Sequence, residues 1–209
     1  MEEPPIALRE RTRNAVRAQL AEAALTLFVQ QGFEATTVEQ IATVTGLSRR
    51  SFHRYFASKE DVLGQWFVEM GQQLAAALTA RPHEEDPWYA LRRTFDGLVE
   101  SLSSRPEALP ITRMMLDTPA LHGSHLQKQA LWRTVLADVL QQRPTAGAGH
   151  PGPARVAAVA LAGAALASFD SATAEWVRED NQKPLGELVD EAMNAVAPLT
   201  GADEKRRRR

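Results

Sequence analysis

The chain has no cysteine. That excludes disulfides, thiolate metal sites and cysteine nucleophiles together, and it suits a reducing compartment. Long hydrophobic runs are missing too. The longest uncharged apolar stretch, Val156 to Phe169, is shorter than the roughly 20 residues needed to span a bilayer. The opening MEEPPIALRE is acidic and carries prolines, with no apolar core of a secretion signal. A soluble, cytoplasmic protein is therefore expected. The sequence also lacks G-x-G-x-x-G, a Walker A loop and H-E-x-x-H. His122 and His125 form H-x-x-H, but with no third ligand nearby that spacing is weak ground for a metal. The sequence points to no catalytic residue, metal or cofactor.

What is present starts with charge. Of 209 residues, 24 are Lys or Arg and 26 are Asp or Glu, so the whole chain is close to neutral. The distribution is uneven. Arg9 to Lys59 carries a net +4, Glu60 to Thr200 a net −7, and the tail from Gly201 is basic again. A basic front joined to an acidic body suggests a module that meets a polyanion. Chance surface composition is the plainer alternative. The 44% hydrophobic content is ample for a real core.

Periodicity is helical almost throughout, and no period-2 strand stands out. Val16, Leu20, Ala24, Leu27 and Phe28 share one helical face that Gly32 ends. Thr37 and Gln40 form a capping box for a short helix that stops at Gly46. Ser48 caps a helix to about Phe56, and Ser58 with Asp61 starts one reaching about Ala80. Further helices are expected over 88–103, in short pieces bracketed by Pro106, Pro110 and Pro119, and over 120–142. A flexible connection, RPTAGAGHPGP (143–153), precedes an alanine-rich helix to about Glu179 and a last one from Pro184 to Ala197. The expectation is an all-α protein of about nine helices: a helix-turn-helix domain over 1–57, a ligand-binding and dimerisation domain over 58–200, and a charged, disordered tail over 201–209.

The chemistry concentrates in GLSRRSFHRYFASKEDVL, residues 46–63. Two short helices joined by a few residues around Gly46 have the dimensions of a helix-turn-helix. At 100° per residue, Arg49, Arg50, His53 and Arg54 fall on one arc of the second helix, and Phe52, Tyr55 and Phe56 on the other. A helix docked by its rings and basic on its free side is what major-groove reading requires. Arginine can bond guanine O6 and N7 together. Ser51, His53 and Tyr55 are further candidates for base or phosphate contact, with Thr37 and Lys59 as phosphate clamps at helix starts. A solvated basic face is the bland alternative, and an anion-binding enzyme site the distant one.

Residues 15–63, through AALTLFVQQGFEATTVEQIA and TGLSRRSFHRYFASKEDVL, resemble the DNA-binding domain of the TetR family of bacterial transcriptional repressors. His53 departs from the pattern, since many members carry an aromatic residue there. The resemblance implies a dimer on a palindromic double-stranded operator, a fold of nine or ten helices, and release when a small molecule enters the C-terminal domain. RRSFHRYFASKED and the alanine-rich helix are also similar to a branch with an acyl-CoA-like ligand-binding domain.

In the body, Met70, Leu74, Trp88, Phe95, Met114, Met115 and Phe169 suit either core or an adaptable apolar pocket. Asp170 is a candidate polar contact at the pocket edge. A largely apolar effector is expected: a long-chain fatty acyl thioester through the branch resemblance, or a hydrophobic aromatic compound. The alanine-rich helix and the last helix could form an intersubunit four-helix bundle, or the former could be an intrachain core helix. The leading expectation is a ligand-released repressor. An all-α small-molecule enzyme with a basic substrate site is the alternative.

Overall fold

The computed structural model describes residues 5–143, 152–180 and 182–199; the side chains of 5–10 and of residue 65 are not described. Most of the connection expected at 143–153 and the tail expected at 201–209 lie outside the described residues. Within them the chain forms α1 (Pro5–Gln31), α2 (Val38–Val44), α3 (Arg49–Phe52), α4 (Lys59–Thr79), α5 (Pro87–Thr94), α6 (Asp96–Ser104), α7 (Ala108–Asp117), a 3-10 turn (Pro119–Leu121), α8 (His122–Gln142), α9 (Arg155–Arg178) and α10 (Leu185–Val196). No strand occurs among the described residues. α5 and α6 meet at Phe95, whose N–H bonds back only three residues to Arg92. Taken as one bent helix, they give the nine expected. α1 starts about three turns earlier than its apolar stripe, because Ala, Leu, Arg and Glu after Pro5 are all good helix formers.

The first three helices share one small core. Leu20, Ala24 and Phe28 of α1 meet Ile41 of α2 and Phe52 and Phe56 of the α3 segment, all essentially inaccessible. Between α2 and α3 the chain makes a Schellman turn: Leu47 N–H donates to Ala42 O at 2.8 Å and Gly46 N–H to Thr43 O at 3.0 Å. That geometry puts Gly46 at φ +72°, a left-handed conformation in which a Cβ is strained.

The body is built around α9. By length and composition this helix could cross a membrane. It packs against α8 and α10, with Ala158, Ala162, Ala165 and Leu166 buried. α4 lies along α8 where Gly71 lets Trp132 approach; a Cβ there would sit 2.9 Å from Trp132 Cδ1. The Trp132 indole N–H donates to Phe67 O at 2.7 Å. Two buried arginines tie the frame. Arg92 of α5 bonds Asp190 of α10 and Asp96 of α6. Arg143 donates to Leu78 O at 2.9 Å, Arg81 O at 3.1 Å and Pro82 O at 2.6 Å, tying the end of α8 to the end of α4 and the turn after it. Burial pushes the Arg143 guanidinium below its ordinary pKa range.

Candidate functional site

α3 is shorter than its sequence pattern suggested. The α-helix ends at Phe52, and the winding continues through two tighter bonds, Arg54 N–H to Ser51 O and Tyr55 N–H to Phe52 O, and one four-residue bond, Phe56 N–H to Phe52 O. Phe52 is 0% and Phe56 1% exposed, so two of the three rings anchor the segment. Tyr55 is half-buried. Arg49, Arg50, His53 and Arg54 are all exposed. The segregation of cations from rings is thus present in three dimensions. Ser48 caps α3 by accepting from Ser51 N–H at 3.1 Å, and the Ser48 and Ser51 hydroxyls lie 3.0 Å apart. Ser51 is therefore engaged in shaping the helix start.

Thr37 is exposed at the N-cap of α2. Its hydroxyl accepts from Gln40 N–H at 3.2 Å, and Gln40 Oε1 accepts from Thr37 N–H at 2.8 Å. Lys59 requires a correction. Its ammonium donates to Phe33 O at 2.6 Å, Thr36 O at 3.1 Å and Glu34 O at 3.3 Å, and it lies 4.3 Å from the Phe33 ring centroid. It stitches the start of α4 to the α1–α2 turn. Sequence spacing showed Lys59 at a helix start but not the carbonyls facing it. Arg17 went unnoticed in the sequence: Nη1 donates to Tyr55 O at 2.9 Å, and the guanidinium lies 4.6 Å from the Phe56 ring centroid. It fastens α1 to the last turn of the reading segment.

The body holds two neighbouring cavities. An inner one of about 50 Å³ is lined by residues of α4, α6, α7, α8 and α9, among them Met115, Phe169 and Asp170. Met70, Leu74, Trp88, Phe95 and Met114 do not line it. Met70, Leu74, Trp88 and Phe95 are core. Trp88 donates its indole N–H to Ala197 O, holding the chain just past α10, and the Phe95 and Phe169 ring centroids are 4.8 Å apart. Met114 is half-buried and packs against the core. Apolar periodicity cannot separate a lining residue from a filled core position, and the eight candidates share only three residues with the lining of this cavity.

The polar side of the inner cavity was not foreseen beyond Asp170. Lys128 Nζ bonds Asp170 Oδ1 at 3.2 Å, and His125 Nε2 lies 3.4 Å from Asp170 Oδ2. The H-x-x-H spacing thus has another meaning: His125 turns inward to a carboxylate while His122 is exposed. Among the described residues no three metal-ligating side chains converge. A much larger cleft of about 610 Å³ lies in the seam between α1, α4, α6 and α7.

A three-helix unit presenting an exposed basic helix on an aromatic anchor, joined to a helical body, has the architecture of a helix-turn-helix DNA-binding protein. Comparison with known proteins agrees. Residues 20–65 match the family model described as bacterial regulatory proteins, tetR family, and residues 85–200, more than half of the chain, match that of the MftR C-terminal domain. The chain belongs to the TetR family of bacterial regulatory proteins. It is 34% identical over 144 residues to the HTH-type transcriptional regulator TcmR of Streptomyces glaucescens, covering 65% of this chain and 63% of TcmR, a little under two thirds of that protein. It is 27% identical over 195 residues to the transcriptional regulator MftR of Mycobacterium tuberculosis, covering 92% of each. The fold is shared with FadR from Bacillus subtilis, solved in complex with stearoyl-CoA: TM-score 0.61 and 18% identity over 88% of this chain and 98% of that one.

Proposed function

We propose that the protein is a homodimeric, ligand-responsive transcriptional repressor, binding a palindromic double-stranded operator and leaving it when a small apolar effector enters the body. The observation that carries this reading is the exposed arc of Arg49, Arg50, His53 and Arg54 on the ring-anchored α3 segment. None of these residues lines either cavity, which suits a groove-reading helix and speaks against a basic substrate site. The body's stearoyl-CoA-bound structural neighbour is the ground for considering an acyl thioester as effector. We assign DNA reading to residues 1–57 and sensing and dimerisation to 58–200.

Dimerisation is supported by an open face on α9 and α10. Val156 is 79% and Val196 59% exposed, and Ala160 and Ala167 are exposed on the same helix as Val156. Small residues let a second helix come close, and two copies would place two reading helices in successive major grooves about 34–36 Å apart. α4 is the lever between the functions. Its first residue is clamped to the α1–α2 turn through Lys59, and its middle is packed on α8 through Gly71 and Phe67. A ligand moves such a lever only by binding the released form better than the DNA-bound one. A gel shift on DNA upstream of the protein's own gene tests the reading. A discrete, dimer-sized complex that resists nonspecific competitor is expected; binding no stronger than to random DNA would end it.

A further inference from the structure

The two cavities share one wall. Leu63, Trp66, Leu102, Thr112 and Met115 line both of them. On one side is a chamber of about 50 Å³. That is room for a small polar group, since one water needs about 10–15 Å³ of such space. On the other side the seam of about 610 Å³ is large enough for the body of a small ligand, whose sites run to about 300–1,000 Å³. The small chamber holds the charges. Lys128, with its side chain 11% exposed, and His125 both face the single carboxylate of Asp170. Among the described residues, Asp170 Oδ1 is the one hydrogen-bond acceptor of the Lys128 ammonium, which has three N–H groups to place. The ammonium also lies over the rings of Trp132 and Phe67, at 5.0 Å and 5.9 Å.

Resting on the regulator reading above, we infer that the effector is an apolar carboxylic acid, its carboxylate in the Lys128–His125 chamber and its hydrocarbon body in the seam against α1. Asp170 takes up one N–H of the Lys128 ammonium, and a second carboxylate gives the others an acceptor. A cationic head would meet the Lys128 ammonium in a site walled by rings, where like charges repel strongly. An alcohol or the neutral thioester carbonyl brings no charge to offset that ammonium, and the phosphate-bearing portion of a coenzyme A is far too large for a chamber of about 50 Å³. For one molecule to occupy both spaces, the Trp66, Leu102 and Met115 side chains must part. Trp66, Leu102 and Met115 are all half-buried rather than locked in the core.

The seam explains how occupancy reaches DNA. Ala18, Ala21 and Leu25 of α1 form its far wall, and Arg17 lines it while holding Tyr55 O and the Phe56 ring. A hydrocarbon body wedged there pushes directly on the helix that positions the reading segment.

Calorimetry tests this with dodecanoate, dodecanol, dodecylammonium and dodecanoyl-CoA, each below its micellar concentration, on the full chain. Dodecanoate should bind at least about tenfold tighter than the other three, the weight of one charge-assisted hydrogen bond. Lys128→Met, an apolar replacement that suits the neighbouring rings, should erase that preference. Asp170→Asn should tighten dodecanoate, because both bases are released to the ligand. Ala18→Trp, filling the seam, should weaken all four. Equal affinity for acid and alcohol, tighter binding of the thioester, or a preference untouched by Lys128→Met overturns the inference. A parallel operator titration separates the two readings. Operator bound but indifferent to dodecanoate sinks the effector assignment alone, whereas dodecanoate bound by a protein with no DNA affinity sinks the regulator reading.

Discussion

Lys59→Met separates a structural cation from a DNA-binding one. The substitution keeps an unbranched chain over the Phe33 ring and removes three N–H···O bonds to Phe33, Glu34 and Thr36. Hydrogen bonds from a charged group are worth about 1.5–3 kcal/mol. The cation–π contact adds about 0.5–1 kcal/mol at a half-exposed site. The Phe33 carbonyl keeps the Thr36 N–H and the exposed Glu34 carbonyl can turn to water, so the loss is counted as one such bond plus the cation–π contact, about 2 kcal/mol. In a chain of this length 1 kcal/mol moves Tm by about 2–4 °C, and the loss should therefore be about 4–8 °C by differential scanning calorimetry. Operator binding measured against salt concentration should keep its slope, because no phosphate contact has gone. A Tm within 1 °C or so of wild type, together with a slope shallower by about one ion, would put Lys59 back on the phosphate and refute the structural assignment.

Other substitutions probe other joints. Gly46→Ala meets no neighbouring atom within 4 Å, but must adopt φ +72°; a loss of about 1–2 kcal/mol in urea unfolding is expected, and a neutral result would contradict the Schellman turn. Gly71→Ala crowds Trp132 and should cost about 1–3 kcal/mol while changing tryptophan fluorescence; an unchanged spectrum would mean that α4 and α8 are not in close contact. Ala160→Glu or Ala164→Glu should give monomers in sedimentation at micromolar concentration, and intact dimers would move the interface off this face of α9. Effector and operator should weaken each other by one common factor, about 5- to 150-fold, measured by calorimetry in both directions.

Much of the fold could be read from local chemistry. Thr37 with Gln40, Ser48 with Ser51, and Ser58 with Asp61 all make the caps their spacing implied, so the starts of α2, α3 and α4 were legible. The start of α1 was not, because helix propensity alone extends it where no apolar stripe marks the path. The two faces of α3 followed from a turn of 100° per residue. The cavity did not. Whether Phe95 fills space or borders it depends on where Phe169 lies, a contact 74 positions away in sequence. The Lys128–Asp170 pair and the Lys59 clamp are long-range in the same way: each needs two elements docked before its chemistry exists.

The central claim is that the exposed arc of α3 reads bases. Its most direct test is fluorescence anisotropy with operator and scrambled duplexes, comparing wild type with Arg49→Ala and Arg50→Ala. Each substitution removes a fork able to bond a guanine, which is worth about 1–3 kcal/mol of discrimination. At least one of them should lose about 5- to 150-fold in operator affinity while scrambled DNA is bound much as before. If both variants distinguish operator from scrambled DNA as well as wild type does, this face does not read sequence.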